Sequence, residues 1–288
     1  MRGALTELVG TQKDAGKTTF LIRGLVLAVL QGRSFLGLVP KQGPVFYLTE
    51  QPPTVVRKDL EAAGLLDQAG LYILQWCDVP SRPWKQLAGE VRKDARELKP
   101  VLLVIDTIPQ FALQASESEN DSAAALAALR PVQLIASDPD GPAVVVVRHE
   151  RKAGGSTAKA GRGNGAWAGA VDVMLRLRRK TGKGRPTVRL LEARSRFSET
   201  PEETLIELTN NGYVLVDKAR EEEVMLRKGI LHALASASLS LVELVEVLKK
   251  PRTSIEPLLS LLVEDGTLST NGTSAKGSLK RYCVQEIS

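Results

Sequence analysis

Two rhythms of apolar residues alternate through the first two hundred positions. Runs at 5–9, 45–48, 71–74, 101–105, 143–147, 171–177 and 187–191 are short and rich in Val, Ile and Leu, as strands are. Between them, 18–31, 54–64, 84–98 and 122–136 repeat apolar residues at the helical spacing of three and four. The runs 101–105 and 143–147 are apolar at every position, so both faces of each strand are expected to be buried. This alternation predicts an α/β fold with a mainly parallel sheet and helices on both faces. The last two runs have no helix between them and predict an antiparallel extension.

Near residue 217 the pattern changes. The charged stretch Asp217-Lys218-Ala219-Arg220-Glu221-Glu222-Glu223 reads as a linker or as the start of a helix. Helical patterns follow at 224–234, 241–248 and 253–264, the last with Thr253 as a plausible cap. A polar hairpin then runs from 267–268 to 282–284, with Asn271-Gly272 as its turn signal. Helix, helix-turn-helix and a two-stranded wing is the order of a winged-helix module. The expected organisation is a core over 1–216, a linker over 217–223 and a small winged-helix-like domain over 224–288.

Hydrophobic residues make up 43% and charged residues 25% of the 288 positions, which excludes a disordered chain. No apolar run approaches the roughly 20 residues of a membrane helix; the longest, 20–30, is broken by Arg23. Met1-Arg2-Gly3-Ala4 leads straight into a strand, so no signal or transit peptide is expected. Cys77 and Cys283 lie too far apart for a disulfide framework or a zinc motif. A soluble cytoplasmic protein with no membrane partner is expected. Charge changes the picture further. Between Arg148 and Arg196 stand 14 Lys or Arg against 3 acids, so the rest of the chain is net −5 although the whole is +6. That segment is also glycine-rich, which suits a polyanion-binding surface.

Chemistry concentrates after the first strand. Gly10-Thr11-Gln12-Lys13-Asp14-Ala15-Gly16-Lys17-Thr18-Thr19 occupies the strand-to-helix turn where backbone amides and a helix N-terminus cradle phosphates. Residues Thr11 to Thr19 are therefore the expected nucleotide contacts. Lys17 is expected on the β/γ-phosphates and the Thr18 hydroxyl on Mg²⁺. The usual first glycine of such a loop is displaced, with Thr11 in its place and Gly10 one position early. Asp106 ends the apolar run 101–105, the position of a carboxylate in the metal shell. Glu50 ends the run that begins at Val45, a place from which to hold a lytic water near a γ-phosphate.

The chain resembles the RecA-like hexameric ATPases, specifically the RepA-like plasmid and phage replicative helicases, and more distantly DnaB and KaiC. The resemblance covers roughly residues 5 to 215. It rests on Gly16-Lys17-Thr18, on Glu50, on Asp106-Thr107, on Glu119-Asn120-Asp121 and on the string Val147-Arg148-His149-Glu150-Arg151-Lys152-Ala153-Gly154-Gly155. Most specific is Arg162-Gly163-Asn164-Gly165-Ala166-Trp167-Ala168-Gly169-Ala170-Val171-Asp172. The resemblance implies that His149 senses the γ-phosphate and couples it to the loop that follows. It implies that this loop, through Arg151, Lys152, Lys159 and Arg162, lines a central channel and grips single-stranded DNA. The loop after Asp106 would be a first channel loop, although Glu117, Glu119 and Asp121 make it acidic. Arg194-Ser195-Arg196-Phe197 resembles the hairpin that ring helicases push into a neighbour's nucleotide, with Arg196 as arginine finger and Arg194 as companion. Arg176, Arg178 and Arg179 are alternative fingers.

In the small domain, basic and acidic residues nearly balance, but Lys276, Lys280 and Arg281 cluster in the wing. Duplex or origin DNA and a protein partner are both open to it. The expected activity is ATP-dependent translocation or unwinding by a homo-hexamer on single-stranded DNA, with ATP and Mg²⁺ bound between subunits, in plasmid, phage or mobile-element replication. Two rivals remain at this point. One is a RecA-like recombination or repair ATPase that assembles on DNA; the other is a non-enzymatic, nucleotide-sensing DNA-binding regulator.

Overall fold

The computed structural model describes residues 2–11, 15–113, 121–150, 165–179, 186–209, 212–271 and 280–285. The chain divides into two compact units, 1–216 and 217–288.

The first unit is built on a nine-stranded sheet. Its strands are β1 (Leu5–Gly10), β2 (Val45–Thr49), β3 (Leu71–Gln75), β4 (Leu102–Asp106), β5 (Ala143–His149), β6 (Val173–Arg179), β7 (Val188–Ser195), β8 (Glu203–Thr209) and β9 (Gly212–Leu215). Their order is β3-β2-β4-β5-β1-β6-β7-β8-β9. The strands from β3 to β6 in that order pair in parallel, and β6 to β9 pair antiparallel. The antiparallel extension expected after residue 171 is present, and β8 and β9 lengthen it beyond the two runs read from the sequence.

The two-sided burial of the central strands follows from their composition. Along β4, Leu103 and Ile105 enter one core with Trp84, Leu87, Val91, Leu129 and Val132 from the helices Trp84–Leu98 and Ser122–Ala136. Leu102 and Val104 enter the opposite core with Leu21, Ile22, Val26, Val56 and Leu60. Those come from helical residues 17–31 and from the helix Pro53–Ala63. Each fully buried Leu or Ile contributes about 1.5–3 kcal/mol, so an apolar strand with two covered faces is the anchor of the sheet. The 17–31 helix is not uniform: Leu21–Val26 winds as a π-helical segment between two α-helical pieces. Within the first core, Arg148 on β5 pairs with Glu7 on β1 at 2.5 Å, and its guanidinium lies 3.9 Å from the ring centroid of Trp167. All three side chains are buried.

In the second unit, residues 218–223 belong to the helix Lys218–Leu234, which Asp217 caps by accepting from the Ala219 amide at 2.9 Å. The charged stretch is thus helix start and not linker. The helices Leu241–Leu248 and Arg252–Glu264 follow, with a small sheet of β10 (Leu239–Ser240), β11 (Leu268–Asn271) and β12 (Arg281–Val284) in the order β10-β12-β11. Ile230, Leu234, Leu244, Ile255, Leu259, Leu262 and Tyr282 form its core. Ser240 and Glu243 make a reciprocal capping box at the start of Leu241–Leu248. Thr253 is not a cap. Pro251, with its fixed φ of −64° and extended ψ, occupies the cap position, and Thr253 lies inside the first turn. The Gly272 half of the expected turn lies outside the described residues. Among the described residues, no helix is long and apolar enough to cross a membrane.

Candidate active site

Four strand ends converge on one edge of the sheet. β1 ends at Gly10, β2 runs into Glu50, β4 ends at Asp106 and β5 at His149. In open parallel sheets ligands bind beyond these carboxyl ends, where successive connections leave in opposite directions. Here β1 sits between β5 and β6, while its successor β2 lies beyond β4. A cleft of about 630 Å³ opens at that point, lined among others by Thr11, Gly16, Lys17, Thr18, Glu50, Asp106, Thr107 and His149.

The displaced glycine of the loop has a steric reason. A Cβ on Gly10 would lie 2.6 Å from the Leu177 carbonyl oxygen and 2.8 Å from Ala15 Cβ, so only glycine fits. Gly16 adopts φ +77°, the left-handed conformation that lets the chain turn into the helix at Lys17. Lys17 is 7% exposed and donates from Nζ to the carbonyls of Gly10 (2.8 Å) and Thr11 (3.2 Å), with His149 Nδ1 at 3.5 Å. Gln12, Lys13 and Asp14 lie outside the described residues.

Asp106 is buried and receives two hydroxyl hydrogen bonds on Oδ2, from Thr18 at 2.9 Å and from Tyr47 at 3.0 Å. Burial pushes its carboxyl above the ordinary range, and the Thr18 and Tyr47 donors and the Lys17 charge oppose that rise. Burial and the neighbouring Asp106 push the Tyr47 phenol well above its ordinary value, so it remains a donor. Glu50 stands beside Asp106. Its amide donates to the Asp106 carbonyl at 2.8 Å, and its Oε2 accepts from Thr107 Oγ1 at 2.7 Å. His149 Nε2 lies 3.9 Å from Glu50 Oε1. Burial raises the Glu50 pKa, Asp106 raises it further, and the Thr107 hydrogen bond and Lys17 lower it. The Asp106–Thr107 peptide is cis.

The donor set fits a magnesium nucleotide. A lysine ammonium and loop amides are available for phosphate oxygens, and a threonine hydroxyl beside a carboxylate, Thr18 and Asp106, suits a magnesium shell completed by phosphate and water. A glutamate of raised basicity stands next to that pair. Among the described residues no group of three or more His, Cys, Asp or Glu side chains forms a separate metal site.

The other expected residues are placed as follows. Arg151, Lys152, Lys159, Arg162 and Lys276 lie outside the described residues, as do Glu117 and Glu119. Asp121 caps the helix Ser122–Ala136, accepting from the Ala123 amide at 2.8 Å. Arg194 and Arg196 are exposed at the end of β7. Arg196 is 3.2 Å from Asp172 Oδ1, and Asp172 Oδ2 accepts from the amide of Leu5 at the start of β1. Arg196 therefore stands at the opposite end of the sheet from its own phosphate loop, which follows the end of β1. Of the alternative fingers, Arg176 is held by Glu150 and Glu192, and Arg178 by Glu192 at 3.1 Å. These pairs tie both side chains into their own sheet. Lys280 Nζ lies over the Tyr282 ring at 5.4 Å. Arg281, a further residue expected to face DNA, bonds to Glu243 at 2.6 and 2.9 Å, where Glu243 sits at the cap of the helix Leu241–Leu248.

Some site residues carry no sequence signal of their own. Tyr47 is one aromatic in an apolar strand, and its role shows only when β2 and β4 pair Thr49 with Asp106. Asp59 lines the cleft from the helix Pro53–Ala63, where its spacing looks like an ordinary helix surface.

The family described as AAA domain matches residues 1–155, over half of the chain, including Lys17, Glu50, Asp106 and His149. The chain belongs to this AAA-domain family. Solved structures share the fold of this AAA-domain chain. A KaiC-like protein from the hyperthermophilic archaeon Pyrococcus horikoshii superposes with a TM-score of 0.54 at 17% identity, covering 75% of this chain and 90% of that one. A RadB recombinase gives a TM-score of 0.52 at 17% identity, covering 75% and 92%. No curated protein matches the sequence. The AAA-domain match gives the family, and the two solved structures share the α/β fold.

Proposed function

We propose that this AAA-domain chain is a ring-forming ATPase that translocates on single-stranded DNA, acting as a helicase in plasmid, phage or mobile-element replication. The observation that carries the ATPase part is the Glu50 carboxylate, held by Thr107 beside the Asp106–Thr18 pair and within reach of His149. Lys17 and the loop amides bind the phosphates, and Thr18 with Asp106 holds Mg²⁺. Bound Mg²⁺ supplies charge neutralisation on the phosphate oxygens. Glu50, its proton affinity raised by burial, orients the attacking water and takes its proton. His149, between Lys17 and Glu50, reports what occupies the site to the residues that follow it in sequence.

Arg196 acts on a neighbour's nucleotide. Its exposure and its place at the far end of the sheet from its own Lys17 support action across an interface, with Arg194 as companion. The basic segment 148–196 supports DNA as the polymer, with Arg151, Lys152, Lys159 and Arg162 on the phosphate backbone. For the second unit, the order helix, β10, two helices, β11 and β12 supports a winged-helix-like domain. Duplex or origin DNA would meet it through Lys276, Lys280 and Arg281.

The test is ATP hydrolysis with and without single-stranded DNA, alongside particle images of the nucleotide-bound assembly. Closed rings with DNA-stimulated turnover are expected. Filaments would favour the recombination or repair reading, which shares the RadB fold. Nucleotide binding without turnover would favour the regulator.

A further inference from the structure

The antiparallel strands reach back to the phosphate loop. Arg189, on β7, is buried, and its Nε donates to the Ala15 carbonyl at 3.2 Å. The same guanidinium donates from Nη1 to the carbonyls of Pro186 at 2.5 Å and Val188 at 3.1 Å. One planar group thus grips three carbonyls, and two of these fix it to its own strand. Tyr213 on β9 closes the other side. A Cβ on Gly16 would lie 3.4 Å from its hydroxyl, and its ring packs edge-on against Phe20 with centroids 5.4 Å apart.

The consequence follows from peptide geometry. The Ala15 carbonyl and the Gly16 amide belong to one planar unit, and among the described residues only the Asp106–Thr107 bond is cis. In a trans peptide the N–H points opposite to the C=O. Gripping the Ala15 oxygen therefore turns the Gly16 N–H away from Arg189, on a residue that itself lines the cleft with Lys17 and Thr18. Gly16 needs this. Without a Cβ, and in a left-handed conformation, it resists rotation of that peptide less than any other residue. We infer that Arg189 is a positioning residue that locks the Ala15–Gly16 peptide so that the Gly16 amide is preset to donate to a nucleotide phosphate. Lysine is no substitute, because a single ammonium cannot hold three carbonyls in one plane. This inference deepens the nucleotide-binding reading of the cleft and rests on it.

The experiment measures ADP affinity of the full chain and its Arg189→Lys and Arg189→Ala variants, with melting temperature recorded without nucleotide. Arg189→Lys is expected to weaken ADP binding about tenfold, the loss of one preset hydrogen bond to a charged group. Its unliganded melting temperature should stay near that of the parent chain. In Arg189→Ala, added guanidinium at non-denaturing concentration is expected to restore part of the affinity. Unchanged ADP affinity in folded Arg189→Lys overturns the inference. So does a loss that follows melting temperature alone and that guanidinium does not rescue. If the parent chain itself bound neither ADP nor ATP, the nucleotide reading of the cleft would fall first, a result distinguishable from failure of the variants alone.

Discussion

Lys17 and Glu150 meet on a single atom: the Gly10 carbonyl oxygen accepts from Lys17 Nζ at 2.8 Å and from the Glu150 amide at 3.0 Å. The lysine belongs to the phosphate loop. The amide belongs to a residue near the start of the basic, glycine-rich segment. Whatever draws the ammonium toward a phosphate leaves that oxygen to Glu150 alone. Lys17→Ala should weaken ATP binding by on the order of 100-fold, the cost of a lost charge-assisted hydrogen bond of about 3 kcal/mol. Equilibrium binding of a fluorescent ATP analogue checks it, and retained affinity would remove Lys17 from the phosphate site.

Glu50→Gln separates binding from chemistry. The amide keeps the shape and the Thr107 hydrogen bond but cannot take a proton. Turnover should fall by roughly 10²–10⁴, the range for loss of a general base, while ATP affinity stays close to that of the parent chain. Single-turnover hydrolysis measured beside binding decides it. Near-normal hydrolysis would shift the base elsewhere.

Affinity for single-stranded DNA should fall steeply with salt if the loop carrying Lys152, Lys159 and Arg162 grips a phosphate backbone. Each alanine substitution there should flatten the log–log salt slope by about 0.7, with nucleotide affinity unaltered. Salt titrations of the three variants provide the measurement. Unchanged slopes would move the DNA contact to the second unit.

Arg196 and Lys17 should complement each other between subunits. An arginine finger supplies roughly 10³–10⁵ in rate, so Arg196→Ala alone and Lys17→Ala alone should both be nearly inactive. Mixed and shown to co-assemble, they should regain part of the activity, because some interfaces then pair an intact loop with an intact finger. A silent mixed assembly rules out Arg196. Arg176, Arg178 and Arg179 would be tested next.

The second unit carries an acid-sensitive helix start. Hydrogen bonds from the Ser240 amide and hydroxyl and from Arg281 hold Glu243 at about 2, below its ordinary 4.5. A carboxyl depressed in the folded state stabilises above its unfolded pKa, and that contribution is lost as pH falls through the folded one. Amide-exchange protection in the helix Leu241–Leu248 should therefore fall as pH drops between the two values. Glu243→Gln should flatten this dependence, and an identical pH profile in the variant would exclude Glu243 as its source.

The central sheet was legible because its strands are buried on both faces. A run such as 101–105, with no polar position, has few other places to go. β8 and β9 were missed for the opposite reason: Glu203–Thr209 mixes charged and apolar residues, and Gly212–Leu215 is too short to show a period. That Lys17, Thr18, Glu50 and Asp106 would share one cleft was readable from their positions at turns and strand ends. Tyr47 and Arg189 were not, since their partners lie 59 and 174 residues away and only strand pairing brings them close. The Arg281–Glu243 pair was not legible either, since its partners lie 38 residues apart.

The buried pair of Glu7 and Arg148, roofed by Trp167, limits how this sequence can change. Removing the Arg148 guanidinium leaves the Glu7 carboxylate buried without it, a larger penalty than losing the attraction between them. Replacing both with apolar residues of matching volume is a different matter and can be neutral or favourable. The permissive route thus passes through a double substitution rather than through loss of Arg148 alone. Such a position resists drift even where its net contribution to stability is small, and it ties β1, β5 and the Gly165–Gly169 helix into a unit that must vary together or not at all.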